Sequence, residues 1–181
     1  VSFYVTHDNV NYRYDTLVQT DTLGYATYNF APDCDYSVGV QKWKAGVTDE
    51  CYIDVNTTDY STTIMGWLRN DILSPNGEKY LRGEDDVLLR GHVVDECNVS
   101  IEAATVTFNA ISVDTSQEFT CSPTQEEGQG YYNCTIPAST TAGWATGWHD
   151  VIIEVSKQYY NGTNVTKVNS CLLYTSDAAD D

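Results

Sequence analysis

Alternation along short runs is the feature that most constrains this chain. Stretches rich in Val, Thr, Tyr and Ile recur between Gly, Asn, Asp and Pro, and helical periodicity is nearly absent. Successive side chains of a strand point to opposite faces, so such runs bury one face and wet the other. "AATVTFNAI" sets Val106, Phe108 and Ala110 against Thr105, Thr107 and Asn109. "WHDVIIEVSK" sets Val151, Ile153 and Val155 against Ile152 and Glu154, and "DYSVGVQKW" groups Tyr36, Val38 and Val40. The pattern predicts an all-β sandwich.

The runs also repeat. "VSFYVTH" from Val1 matches "VTFNAIS" from Val106, and the Gly-Tyr run "GYATYNF" from Gly24 matches "GYYNCTI" from Gly130. A valine-centred strand follows each. The 181 residues therefore read as two sandwich modules, residues 1–66 and 67–170. In the second copy, two further strands precede the first match, one around Ile72 and one from Val87 to Val94, parted by the turn "SPNGE". Nothing precedes Val1, so the first module is expected to lack its two opening strands. An open sandwich exposes apolar faces and unpaired edges. Upstream sequence, a strand from a neighbour or a smaller module would each resolve this.

Nine Lys and Arg against 26 Asp and Glu give a formal charge of −17, which repels nucleic-acid backbones and anionic membranes. No apolar run reaches the roughly 20 residues of a membrane-spanning helix. The chain starts at Val1 without a leader, which is expected to have been removed or never captured. Five Asn-x-Ser/Thr sequons, at Asn56, Asn98, Asn133, Asn161 and Asn164, are candidate N-glycosylation sites. With six cysteines and few lysines they point to an extracellular or cell-surface location.

The run "TDTLGYATYNFAPDCDYSVGVQKWKAG" resembles carboxypeptidase-regulatory-like and related Ig-like modules. "LLRGHVVDEC", "GQGYYNCT" and "GWHDVIIEVSKQYYN" are similar to Ig-like repeats of large secreted surface proteins. The resemblance extends to about Ser170 and implies a cell-surface or fibre-forming glycoprotein, similar to subunits of glycan-coated extracellular fibrils. In an Ig-like order the loop holding Asn98 and the loop holding Asn161 and Asn164 share one end, so glycans would crowd one pole.

The tail "CLLYTSDAADD" lacks the alternation expected of a last strand. Back-translated, its eleven residues match the transposase adapter of shotgun sequencing libraries, so residues 171–181 are expected to be read-through and not native. A flexible acidic terminus is the alternative. Of the other cysteines, Cys34 and Cys51 flank a strand-turn-strand reading, and Cys121 and Cys134 flank a hairpin. Each pair is expected to form a bridge, contributing about 3 kcal/mol. Cys97 is left unpaired, or pairs with Cys121 or Cys134, bridges two chains, or meets a cysteine outside this sequence.

No CxxC occurs, and His7, His92 and His149 are not spaced as metal ligands. Calcium is a weak alternative at Asp33 and Asp35, Glu84 to Asp86, or Glu126 and Glu127, none in EF-hand order. Nucleophile elbows, zincin helices and phosphate loops are absent, so no catalytic residues and no cofactor beyond covalent glycans are expected. Trp43, Trp67, Trp144, Trp148, Tyr159 and Tyr160 fit core packing, a sugar-stacking platform or contacts to the chain's own glycans. The leading expectation is a structural subunit of an extracellular N-glycosylated filament or surface layer, partnered by copies of itself through strand complementation. Rival readings are a carbohydrate-binding or adhesin module and an accessory domain of a secreted hydrolase.

Overall fold

The computed structural model describes residues 1–175. The chain forms two compact units, Val1–Gly66 and a second from Trp67 onward.

The first unit holds β1 (Ser2–Thr6), β2 (Tyr12–Leu17), β3 (Gly39–Asp49), β4 (Tyr52–Asn56) and β5 (Tyr60–Ile64). They make one antiparallel sheet in the order β2-β1-β3, with β4 and β5 pairing successive parts of β3. The second unit holds β6 (Gly66–Ser74), β7 (Glu78–Leu81), β8 (Val87–Asp95), β9 (Thr105–Ser112), β10 (Glu118–Cys121), β11 (Gln125–Gly128) and β12 (Tyr131–Ile136). A short helix, α1 (Ala138–Thr141), then leads to β13 (Gly147–Ser156), β14 (Tyr160–Asn161) and β15 (Thr163–Tyr174). These strands form two sheets, β10-β9-β13-β15-β7 and β11-β12-β8-β6-β14. That strand order is the order of an Ig-like sandwich, and the fold is all-β.

The core of the second unit follows the alternation in its sequence. Val106, Phe108 and Ala110 of β9 and Val151, Ile153 and Val155 of β13 are buried. They pack against Leu68 and Ile72 of β6, Leu89 and Val93 of β8, and Tyr132, Cys134 and Ile136 of β12. Tyr132 is 2% exposed, and its hydroxyl donates to the Ile101 carbonyl and accepts from the Ala104 N–H, each at 3.0 Å. A buried phenol left without partners would cost about 1–3 kcal/mol.

His149 is buried against Trp144, the rings 5.2 Å apart. Burial holds its pKa below the usual 6.5, opposed by a contact from Nδ1 to the Gly147 carbonyl and by Asp114 and Asp150. The fold therefore favours neutral imidazole, while the unfolded chain takes up a proton near 6.5. Stability contributed by this residue is present above that pH and is lost as pH falls below it. The urea midpoint of the second unit will fall between about pH 7 and pH 5, and His149→Phe will flatten that part of the profile.

The tail departs from expectation. Cys171 and Leu173 are each 1% exposed, and β15 runs through Tyr174, pairing parallel with β7 from Cys171↔Glu78 to Tyr174↔Leu81. Apolar residues at alternate positions suffice to continue a strand, whatever their origin. Burial pushes the Cys171 thiol up to about 12. Residues 176–181 of the expected read-through lie outside the described residues.

The cysteines also differ in part. Cys121 and Cys134 form a disulfide with Cα atoms 6.0 Å apart, tying β10 to β12. The expected Cys34 to Cys51 bridge is not formed, because Cys51 is a free, exposed thiol. Here β3 runs on for 11 residues without the expected turn. At about 3.3 Å per residue its ends are some 35 Å apart, with Cys34 preceding one and Cys51 following the other. Bridged Cα atoms must approach within about 7 Å. Cys34 and Cys97 are each disulfide-bonded, so Cys97 is not left over.

Candidate assembly interface

The two units share a plan that the first leaves half built. In the first unit the order β2-β1-β3-β5 repeats β10-β9-β13-β15 of the second, neighbour for neighbour and antiparallel throughout. Among the described residues the first unit has no counterparts to β6 and β8, the strands that lead the opposing sheet.

One counterpart is present, but unpaired. Residues 24–30 occupy the place of β12 in sequence, each stretch opening on a glycine of positive φ, +86° at Gly24 and +75° at Gly130. Ala26, Tyr28 and Phe30 are half-buried, while Tyr25, Thr27 and Asn29 are exposed, the alternation of a strand. Yet among the described residues this stretch belongs to no ladder, whereas β12 pairs with β8 on one edge and β11 on the other. Its start is held by Asp21, whose Oδ1 accepts from the Leu23 and Tyr25 N–H groups at 2.8 and 2.9 Å.

The inward side chains cover only part of the sheet. Tyr28 packs on Phe3 at 5.5 Å, Phe30 on Tyr36 at 5.1 Å, and Trp43 stacks on Tyr60 at 4.9 Å. The Tyr36 hydroxyl donates to Asp15 at 2.7 Å. The Asp15 carboxylate, then burial, pushes the Tyr28 phenol up to about 12, and burial followed by Asp15 raises Tyr36 as well. An open cleft of about 140 Å³ remains between Phe3, Val5, Tyr28, Phe30, Trp43 and Thr62.

The face expected at Tyr36, Val38 and Val40 holds for the first two, which are half-buried, and breaks at Val40. Val40 points out at 38% exposure, and Gln41 is the buried residue at 2%. Its amide is engaged at both ends, with Oε1 accepting from Thr6 Oγ1 at 2.9 Å and the Asn9 N–H at 2.8 Å, and Nε2 donating to the Ser37 carbonyl at 2.8 Å. A buried amide so paired escapes its desolvation penalty.

Beyond the cleft, β4 and the end of β3 form an exposed arm. Val47 faces Val55 across the pair, and Val47, Ile53 and Val55 are 39%, 92% and 61% exposed.

The sequons sit at the surface in different ways. Asn56 and Asn161 are exposed. Asn98, at φ 60°, is exposed and accepts from Arg69 Nη1 at 3.1 Å. Asn133 lies on the outer face of β12, its Nδ2 donating to Glu127 Oε1 at 2.7 Å. Arg90 pairs with the same carboxylate at 2.6 Å, lies over the Tyr131 ring and, with Asn133, lowers the Glu127 pKa. The side chain of Asn164 lies outside the described residues. Burial, then Asp95 and Glu96, raises the Tyr160 pKa.

The aromatic residues are dispersed in role. Trp144 is buried beside Phe119, Trp43 stacks within the first unit, and Trp67 and Trp148 are 59% and 37% exposed. Among the described residues, no group of three or more His, Cys, Asp or Glu is placed to hold a metal ion.

No protein-family model matches the sequence, and no curated protein matches it. Solved structures similar to the chain include the fibronectin(III)-like modules of Clostridium thermocellum CbhA, at 11% identity over 99% of this chain and 81% of that one, with a TM-score of 0.40. Domains 4 and 5 of the S-layer protein SbsC match at 12% identity, over 96% and 98%, with a TM-score of 0.35. A Ca2+-stabilized adhesin with which an Antarctic bacterium binds ice matches at 13% identity, over 97% and 40%, with a TM-score of 0.30. At such identities and scores these likenesses carry no function across to this chain.

Proposed function

We propose that the chain is a structural subunit of an extracellular, N-glycosylated filament or surface layer, built from Ig-like units that join head to tail by strand complementation. One observation carries this reading: the first unit leaves open a sheet face whose counterpart within the second unit is covered by that unit's own second sheet. Exposed apolar sheet faces of this kind mark interaction sites, and strand addition satisfies backbone groups and apolar side chains together. The disulfide, the surface sequons and the resemblance to fibre glycoproteins support the same reading.

The chain, secreted from a glycosylating host and held without reductant, will form filaments or sheets in negative-stain micrographs, with glycan mass on its sequon asparagines. A monodisperse monomer at high concentration would refute it. Because every subunit carries the formal charge of −17, association will strengthen as sodium chloride is raised. Light scattering against salt checks this.

A further inference from the structure

The same unit that lacks covering strands also projects one. The arm formed by β4 and the end of β3 is exposed at every residue from Val47 to Tyr60 whose side chain is described. Ile53 is 92% exposed, more than any other large hydrophobic residue described. Within β4, Ile53 and Val55 share one face, and Asp54 and Asn56 share the other. Asn56 extends over Gly46, on the face away from the apolar pair. Among the described residues, the outer edge of β4 pairs with no strand.

The second unit shows what fits the open seat. There β8 lies antiparallel to β12, with Leu89 opposite Cys134 and Val87 opposite Ile136. Tyr28 and Phe30 hold the places of Cys134 and Ile136 in the first unit, counted from Gly24 and Gly130. Two apolar residues spaced by one, on a strand with a free edge, are what that seat lacks. Ile53 and Val55 have that spacing, and in antiparallel order they fall beside Phe30 and Tyr28.

Resting on the proposed assembly, we propose that the β3–β4 arm of one copy is the donated strand, and that residues 24–30 of the next copy are its seat. Ile53 then packs beside Phe30, Val55 beside Tyr28, and the backbone of β4 pairs with the unladdered edge of 24–30. Giver and receiver lie on one unit and are different surfaces, so the contact is heterologous and leaves a free arm at one end and an empty seat at the other. Such a contact propagates as an open chain when its rotation does not close into a ring. Asn56 faces away from the joint, so a glycan there leaves it free.

Two variants separate the halves of the contact. Ile53→Glu places charge on the arm at a position already in water, and Ala26→Glu places charge on the half-buried side of the seat, where the open face still lets it reach solvent in the free chain. Each will raise the concentration at which the full chain assembles by roughly tenfold or more. Mixed in equal amounts, they will stop at a heterodimer, since one intact arm meets one intact seat. Val10→Glu, which adds the same charge at another exposed site, will assemble as the unaltered chain does. Light scattering with mass analysis reads the unaltered chain, the three variants and the mixture, and formation of the heterodimer shows that both variants are folded. If the unaltered chain assembles and both variants assemble equally well, or their mixture stays monomeric, the arm and seat are wrong while assembly stands. If the unaltered chain stays monomeric, both proposals fall.

Discussion

Phe108→Ala is expected to cost the second unit about 3–5 kcal/mol, measured as a fall in its denaturant midpoint at unchanged slope. Phe108 has no exposed surface and stands on β9 between Cys121 of β10 and Ile153 of β13. On the facing sheet it approaches Gly91, where an added Cβ would lie 2.5 Å from Ile153 Cδ1 and 3.6 Å from Phe108 Cε1. A glycine is required there because the two large side chains reach across to its backbone. Removing the ring leaves a gap that Gly91 has no side chain to enter, so the site collapses poorly and the upper part of the range applies. A loss below about 1 kcal/mol would mean that Phe108 is not closely packed.

Gly130→Ala and Gly24→Ala form a matched pair with very different expected costs. Both glycines have positive φ, for which alanine costs about 1–2 kcal/mol. At Gly130 the new Cβ would lie 2.3 Å from the Val93 carbonyl oxygen and 3.1 Å from the Ile101 nitrogen, so backbone must move. That raises the expected cost to about 2–5 kcal/mol. At Gly24 nothing lies within 4 Å, and only the strain of φ remains. The obstructing oxygen belongs to β8, the strand that the first unit lacks. Native-state hydrogen exchange reads the two units separately. Equal costs in the free chain would show that the seat is already occupied.

Much of the second unit was legible because its partners repeat the same rule on both sides. Val106, Phe108 and Ala110 face Val151, Ile153 and Val155 across one ladder, and a period of two suffices to orient every one of them. Tyr132, Cys134 and Ile136 of β12 obey the same period of two. The first unit was harder because its outcomes depend on distant groups. Gln41 turns inward only because Thr6, Asn9 and Ser37 meet its amide, and a reading of apolar periodicity favours Val40. The stretch between Cys34 and Cys51 reads as strand-turn-strand, which would make the two cysteines neighbours, and Gly46 lies within it. In fact β3 continues through it, with the Asn56 side chain occupying the space above the glycine. β7 was hidden in the turn after Ser74, since four residues paired with the far end of the unit leave no local pattern. Residues 24–30 carry the same signal as β12, yet form no ladder. A strand is a relation between two segments, and sequence displays one of them.

The parallel course of β7 beside β15 has a mechanical consequence. β7 lies near the start of the second unit and β15 at its end, and their pairs run from Glu78 with Cys171 to Leu81 with Tyr174. Tension applied at the two ends of the unit in opposite directions slides one strand along the other, so the ladder bonds between them are strained together instead of parting singly. The unit is thereby suited to resist stretching along its chain.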